Sequence, residues 1–537
     1  MRLLGIGQLG LAVFVAATIA LFGIYRYAPL KPLPSSVDTD TFSAERAEPI
    51  LELLVGDGIP HPSGTDQNEI VRQRILDFFA ELDIPVEQHA TSNMRRRTGE
   101  IFPLVNLIAR IPGSNSSATI ALTSHYDSTF NGPGAADDGV GVAVSLEIAR
   151  FFAANPPKNN LVFLITDGEE LGLLGAEKFV LEHPLAKEID VVINLEARGT
   201  KGPSLLFETG PRSYWTIQQF AKVARKPFTS SLFYEIYKTL PNDTDFTRFM
   251  ETQMEGFNFA FIGDVKNYHT PDDNFETVDR GSMQHHGEHA LELLKLLADS
   301  ETLMISDGRA IYFDLLAFRV FYWRESWRIP LAIVPTALLA WFVIVNLRAN
   351  RIGLRQGLFA ASFTLGVVVF MAAIQFAVNL GLGRDGFLDS PWPFRPVPIL
   401  LTFWLVGLLV SIGCGCVLFR GAAEATFASV WLGWLVLLWL TTLFVAGASY
   451  LFLVPCVIAG IAAVLPLSMN IKSQIAWVGA TLIWLPMEPL FYDAVGFSLN
   501  LALIARVVVV MSALFPVIAV ACTRMRPATP TNATETI

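Results

Sequence analysis

At 537 residues and 52% hydrophobic content, with a mean hydropathy of +0.45, the chain is too long for one small domain and too apolar for an ordinary soluble protein, so part of it must lie in lipid. Its 39 Lys plus Arg against 49 Asp plus Glu give a net charge of -10, a balance that argues against a nucleic-acid-binding surface. Cys414, Cys416, Cys456 and Cys522 all fall in apolar C-terminal segments, which leaves the polar part of the chain without a thiol for a disulfide or a metal.

Residues 3–25 are apolar apart from Gln8 and Thr18, long enough to cross a bilayer. We read 1–26 as an N-terminal anchor, uncleaved because the apolar run is long and Ala28-Pro29 is a poor cleavage context. A linker is expected over 27–44. From 45 to 300, short β-branched runs alternate with helical periods, which predicts an α/β domain. Strands are expected at 105–111, 119–124, 160–166, 191–195, 204–208 and 258–262, and helices at 44–56, 67–82, 139–153, 172–182, 213–224, 245–253 and 280–298. Residues 301–328 are expected to be a juxtamembrane linker. Seven apolar runs then follow at 329–347, 357–382, 398–419, 425–446, 450–468, 474–491 and 499–522, predicting a transmembrane bundle over 329–522 and a tail over 523–537. Arg348, Arg351 and Arg355, then Arg420, Lys472, Arg524 and Arg526, all fall on one side of these spans. Cytoplasmic loops carry such an excess, so the tail is expected in the cytosol and the α/β domain outside it. Glu488 and Arg506 are expected at similar depth in the membrane, as an ion pair.

Most polar residues of chemical interest follow the C-terminal ends of expected strands, where open α/β sheets bind ligands. Strand 119–124 runs into His125-Tyr126-Asp127, followed by Gly134-Ala135-Ala136-Asp137-Asp138-Gly139. Strand 160–166 delivers Asp167-Gly168-Glu169-Glu170, strand 191–195 delivers Glu196, and Tyr268-His269-Thr270 follows strand 258–262. Singly, His125 reads as a strand-end histidine, Asp137-Asp138 as a helix cap and Glu169-Glu170 as a solvated first turn. Together at successive strand ends they favour one site. Mixed histidine and carboxylate ligation suits zinc, and a carboxylate able to bridge two ions permits a pair that activates water. His61, His89, His183, His285, His286 and His289 lack such company and read as structural or exposed.

At these motifs the sequence resembles the co-catalytic zinc exopeptidases of peptidase family 28, and within them the membrane-bound subgroup of vacuolar membrane proteases and endoplasmic reticulum metallopeptidase. The resemblance covers roughly 45–300 and is carried by His61-Pro-Ser-Gly-Thr65, His125-Tyr-Asp127, Pro133-Gly-Ala-Ala-Asp-Asp-Gly-Val-Gly141, Gly168-Glu-Glu-Leu-Gly172, Asn194-Leu-Glu196, Thr244-Asp-Phe-Thr-Arg-Phe249 and Tyr268-His-Thr270, with Ile311-Tyr-Phe-Asp-Leu-Leu316 shared by the subgroup. It implies a three-layer α/β/α domain with a mixed central sheet beside an all-α multi-span region. It implies two zinc ions per chain, with Asp137 bridging them, His125 and Glu196 completing one site, and Glu170 and His269 the other. Glu169 would be the general base, and Asp127 would orient His125. Glu196 departs from the Asp of many secreted members.

The expectation is thus a membrane-bound metallopeptidase, an aminopeptidase in preference to a carboxypeptidase, acting on peptides from the lipid surface, with a bacterial periplasm favoured over an endomembrane lumen. Tyr234 or Tyr237 is a candidate oxyanion donor, and Arg198, Arg212 or Arg248 a candidate partner for a substrate carboxylate. The alternatives are glutaminyl cyclase chemistry on the same scaffold, or an inactive peptide-binding receptor or scaffold.

Overall fold

The structure, a computed structural model, describes residues 2–114, 117–240, 242–384, 404–413, 423–487, 507 and 509–524. It divides into two units, Tyr25–Ser326 and a second composed of Met1–Ile24 with Trp327–Ile537.

The first unit is built on a seven-stranded sheet. In chain order its strands are β1 (Val86–Met94), β2 (Ile101–Ile111), β3 (Thr119–His125), β4 (Asn160–Thr166), β5 (Val191–Ala197), β6 (Leu205–Thr209) and β7 (Glu255–Phe261), arranged in space as β1-β2-β4-β3-β5-β7-β6. The four central strands are mutually parallel, and β1, β2 and β6 pair antiparallel with their neighbours, so the sheet is mixed. Every residue of β3, β5 and β7 is buried, as expected of near-continuous apolar runs covered on both faces. Alternation sorts the side chains between two cores. Ile120, Leu122, Phe163, Ile165 and Ile193 enter the core shared with the helices α2 (Ala44–Val55), α3 (Asp66–Glu81), α4 (Gly141–Ala154), α6 (Ser213–Val223) and α9 (Arg280–Ala298). Ala121, Val162, Leu164 and Val192 enter the core on the other face, with Phe179 of α5 (Leu174–Glu182) and Phe246 and Phe249 of α8 (Asp245–Glu251). The result is three layers, helices on sheet on helices.

Two elements escaped the sequence patterning. Strand β1 reads Val-Glu-Gln-His-Ala-Thr-Ser-Asn-Met, is nowhere fully buried, pairs in the sheet with β2 and meets α5 through polar contacts such as Asn93 to Glu177; an edge strand without an apolar face shows no apolar alternation. Helix α7 (Ser231–Tyr237) is two turns long and too short for a period. The expected linker at 301–328 is corrected by a hairpin of β8 (Ala310–Leu315) and β9 (Arg319–Arg324). It belongs to the first unit: Ile311, Tyr312 and Asp314 are buried, and Asp314 takes a bidentate ion pair from Arg26 at 2.6 and 2.7 Å. That pairing gives the shared motif around 311–316 a structural reason.

In the second unit, Glu325–Arg348, Arg355–Ile374 and Ala423–Phe444 are long and apolar enough to cross a membrane. Tyr450–Val464 and Met469–Trp484, with 15 and 16 residues, fall short of the roughly 20 that a span needs. Among the described residues three such spans are therefore found where about seven were expected; those at 398–419, 474–491 and 499–522 are described only in part, and Glu488 and Arg506 lie outside the described residues. The expected anchor is the helix α1 (Arg2–Tyr27).

Candidate active site

Parallel β3, β4, β5 and β7 bring their C-terminal ends to one edge, and the order of strands reverses about β3, the position where such sheets open a crevice. His125 is the last residue of β3 and lies opposite Thr166, the last of β4. Glu196 is the next-to-last residue of β5, and His269 stands in the loop after β7 with φ of +57°. Asp137 comes from a buried turn between β3 and α4.

These side chains form two groups that share one carboxylate. His125, Asp137 and Glu196 offer one donor atom each within 4.8 Å of one another, and so do Asp137, Glu170 and His269. His125 Nε2 lies 3.2 Å from Asp137 Oδ1 and 3.8 Å from Glu196 Oε2; His269 Nε2 lies 3.2 Å from Asp137 Oδ2 and 3.1 Å from Glu170 Oε2. His269 Nε2 is buried yet makes no hydrogen bond of acceptable geometry, the condition of a ligand atom rather than of a donor. None of the other six histidines belongs to either group.

Asp127 organises the base side of the site. Its carboxylate accepts the backbone N–H of Glu169 at 3.1 Å and of Glu170 at 3.2 Å, its backbone oxygen lies 3.0 Å from His125 Nδ1, and its Oδ1 lies 3.4 Å from the same nitrogen. One buried carboxylate thereby positions the Glu169-Glu170 turn and the outer nitrogen of His125, the contact that sets which nitrogen faces a metal. The motif at 61–65 braces this loop: Ser128 and His61 exchange hydrogen bonds, and Ser63 donates to Asp167 at 2.7 Å. Thr166 donates to Asp245 from the Thr244 motif. Asp273 was not singled out in the sequence. It is 2% exposed and accepts the N–H of Ala136 at 2.7 Å and of Asp137 at 3.3 Å; the only local hint is its place four residues after His269.

Charge at the site is strongly unbalanced. Burial, then the charge of Glu196, raises the Glu169 carboxyl well above its usual range, and burial, then Asp137, raises that of Glu170. Burial also raises Glu196. Burial opposes ionisation of Asp137, but His125 and His269 outweigh it and hold that carboxyl low. A buried set of carboxylates paired directly with two histidines is costly unless further positive charge is supplied. Nitrogen and oxygen donors in two groups around one shared carboxylate fit a divalent metal such as zinc.

Residues 106–294 match the pattern of peptidase family M28. The chain carries a peptidase family M28 domain. The chain is similar to endoplasmic reticulum metallopeptidase 1 of Mus musculus, 32% identical over 304 residues, covering 52% of this chain and 34% of the relative. The vacuolar membrane protease of Eremothecium gossypii is 31% identical over 360 residues, covering 62% of this chain and 34% of the relative. The chain thus matches about a third of the length of these relatives. Among solved structures, an aminopeptidase from Aneurinibacillus sp. strain AM-1 overlays on 50% of this chain and 97% of its own length, at 16% identity and a TM-score of 0.41.

Proposed function

We propose that this M28 hydrolase is a membrane-bound, two-zinc exopeptidase that removes N-terminal residues from peptides. The observation that carries the reading is the pair of donor groups joined at Asp137. In this reading Asp137 would be shared by both ions, His125 and Glu196 would hold one, and Glu170 and His269 would hold the other. When bound, the zinc pair supplies the Lewis acidity that lowers the pKa of the attacking water and polarises the scissile carbonyl.

The chain's own residues supply the proton movements. Glu169, whose backbone is pinned by Asp127, takes one proton from the attacking water on its carboxylate and delivers it to the departing amine, so that it ends as it began. Asp127 keeps His125 and the Glu169 turn in register. Tyr237 supports a role as oxyanion donor: its hydroxyl is buried without a hydrogen-bond partner, and the charge of Glu196 is among the causes that keep it protonated, after burial and Glu208. The basic loops Arg348 to Arg355 and Lys472 support a catalytic unit outside the cytosol; a periplasm and an endomembrane lumen both satisfy that arrangement.

The test is hydrolysis of matched peptides, free or blocked at each terminus, by the purified full-length protein loaded with zinc and by its Glu169→Gln variant. Cleavage that needs a free N-terminus and falls about 100- to 10,000-fold in the variant, with zinc retained, is the expected result. A requirement for a free C-terminus would make it a carboxypeptidase. Conversion of N-terminal Gln to pyroglutamate without peptide cleavage would assign cyclase chemistry, and zinc binding without turnover would leave a receptor or scaffold.

A further inference from the structure

A cavity of about 400 Å³ opens beside the second donor group, with Glu170 and His269 in its wall and Ser128, Thr129 and Phe130 on the side of the β3 loop. Arg95 and Arg97, from the turn between β1 and β2, line it as well, together with Asn131 and Leu171. The two arginines belong to the longest basic run in the chain, Arg95-Arg96-Arg97, which the hydrolytic machinery leaves unused.

The three arginines divide their roles. Arg96 pairs with Glu177 of α5 at 2.5 Å, and Asn93 donates to the same carboxylate at 3.0 Å. The turn itself is closed by the N–H of Arg95 donating to Glu100 at 2.8 Å, with Gly99 in the left-handed conformation at φ of +76°. Anchored in this way, the hairpin holds Arg95 and Arg97 at the cavity, and among the described residues no carboxylate lies within ion-pair distance of either. Of the arginines that the sequence offered for a substrate carboxylate, Arg212 pairs with Glu255 at 3.3 Å and Arg248 with Glu251 at 2.8 Å, while Arg198 lies over the ring of Tyr268 with its buried Nε unpaired and does not line this cavity.

A guanidinium presents a planar fork that matches a carboxylate. Two of them without carboxylate partners, lining one cavity with Glu170 and His269, bring positive charge to the space beside the second donor group. A sphere of this volume is about 9 Å across, the reach of two to three extended residues. We propose that Arg95 and Arg97 form a subsite for a substrate carboxylate, so that the preferred substrates are short peptides with a free carboxylate within about three residues of the scissile bond. The carboxylate comes from either the C-terminus or an acidic side chain. The proposal rests on the hydrolytic reading above for its substrate class.

The test uses the full-length protein as wild type, as Arg95→Gln/Arg97→Gln and as Arg95→Lys/Arg97→Lys, with a tripeptide, its C-terminal amide, and an amide carrying Glu next to the cleaved bond. The wild type is expected to prefer a carboxylate-bearing peptide over the neutral amide by about tenfold or more in kcat/KM, one charge-assisted contact being strong enough for that. In the Gln variant the ratio falls towards one, and in the Lys variant a large part of it returns. Preference for the free tripeptide assigns the C-terminus, and preference for the Glu amide assigns the side chain. An unchanged ratio in the Gln variant overturns the subsite while leaving hydrolysis intact. Binding of the same peptides to Glu169→Gln, with and without the arginine replacements, is measured by calorimetry. A carboxylate preference in that binding, lost with the arginine replacements, would sustain the subsite whether or not the wild type turns over, and absence of turnover in the zinc-loaded wild type would sink the hydrolytic reading alone; equal binding of acid and amide would sink the subsite.

Discussion

Asp273→Ala isolates the support of the bridging ligand from the ligand itself. In the native site the Asp273 carboxylate accepts two successive buried amides, Ala136 N–H at 2.7 Å and Asp137 N–H at 3.3 Å, while its backbone oxygen accepts Ala135 N–H at 3.2 Å. The variant keeps the backbone contact and removes both carboxylate acceptors. A buried donor left unpaired costs about 1–3 kcal/mol; counting the long contact at the lower end, the turn is destabilised by about 3 kcal/mol. The turn relaxes by reorienting those amides, and Asp137 moves with them. Loss of an outer partner of this kind weakens metal binding by about 10- to 100-fold. The assay is competition for zinc with a graded chelator, using the full-length protein in detergent and a thermal melt to confirm folding. Asp273→Asn, which retains one acceptor, should fall between. A cooperative melt with zinc affinity within twofold of wild type would refute the view that Asp273 positions Asp137.

Asp137→Asn should lose zinc and activity together, in contrast to Glu169→Gln, and metal analysis of both variants distinguishes ligand from base. Stability should fall as the pH drops below about 6.5, because α9 buries three neutral histidines. His285 accepts Ser204 N–H on Nδ1 and faces Lys226 O through Nε2, His289 lies between the rings of Phe220 and Phe259 without a hydrogen bond, and burial lowers His285 to about 3. The unfolded chain takes up these protons first, so His285 alone removes about 2 kcal/mol between pH 7 and 5; equal melting temperatures at the two pH values would contradict this, and His289→Leu should lessen the fall. Asp314→Ala strips a buried bidentate partner from Arg26 and should cost about 3–5 kcal/mol, seen as a lower melting temperature of the catalytic unit without a change in the pH dependence of turnover.

What the sequence determined by itself is the local part of the site. Strands β3, β4 and β5 are short apolar runs that can be recognised from composition, and His125, Glu169, Glu170 and Glu196 lie in the last positions of those strands or just beyond them. An apolar run that ends in a polar residue marks that residue as the first to leave the core, whatever its neighbours turn out to be. His269 was legible for the same reason, after β7.

Tertiary pairing decided the rest. Only the order β4-β3-β5-β7 brings these ends together, and only backbone amides that have no sequence identity reveal Asp127 and Asp273 as their acceptors. Strand β1 is polar because it is an edge, and its existence depends on β2, so the turn that carries Arg95 and Arg97 to the cavity had no local signal. The hairpin β8–β9 is likewise made by Asp314 closing on Arg26, a contact between residues at opposite ends of the catalytic unit. Periodicity reports burial along one segment; it does not report the partner that a segment folds against, and it is those partners that place the carboxylates, the arginines and the edges of this site.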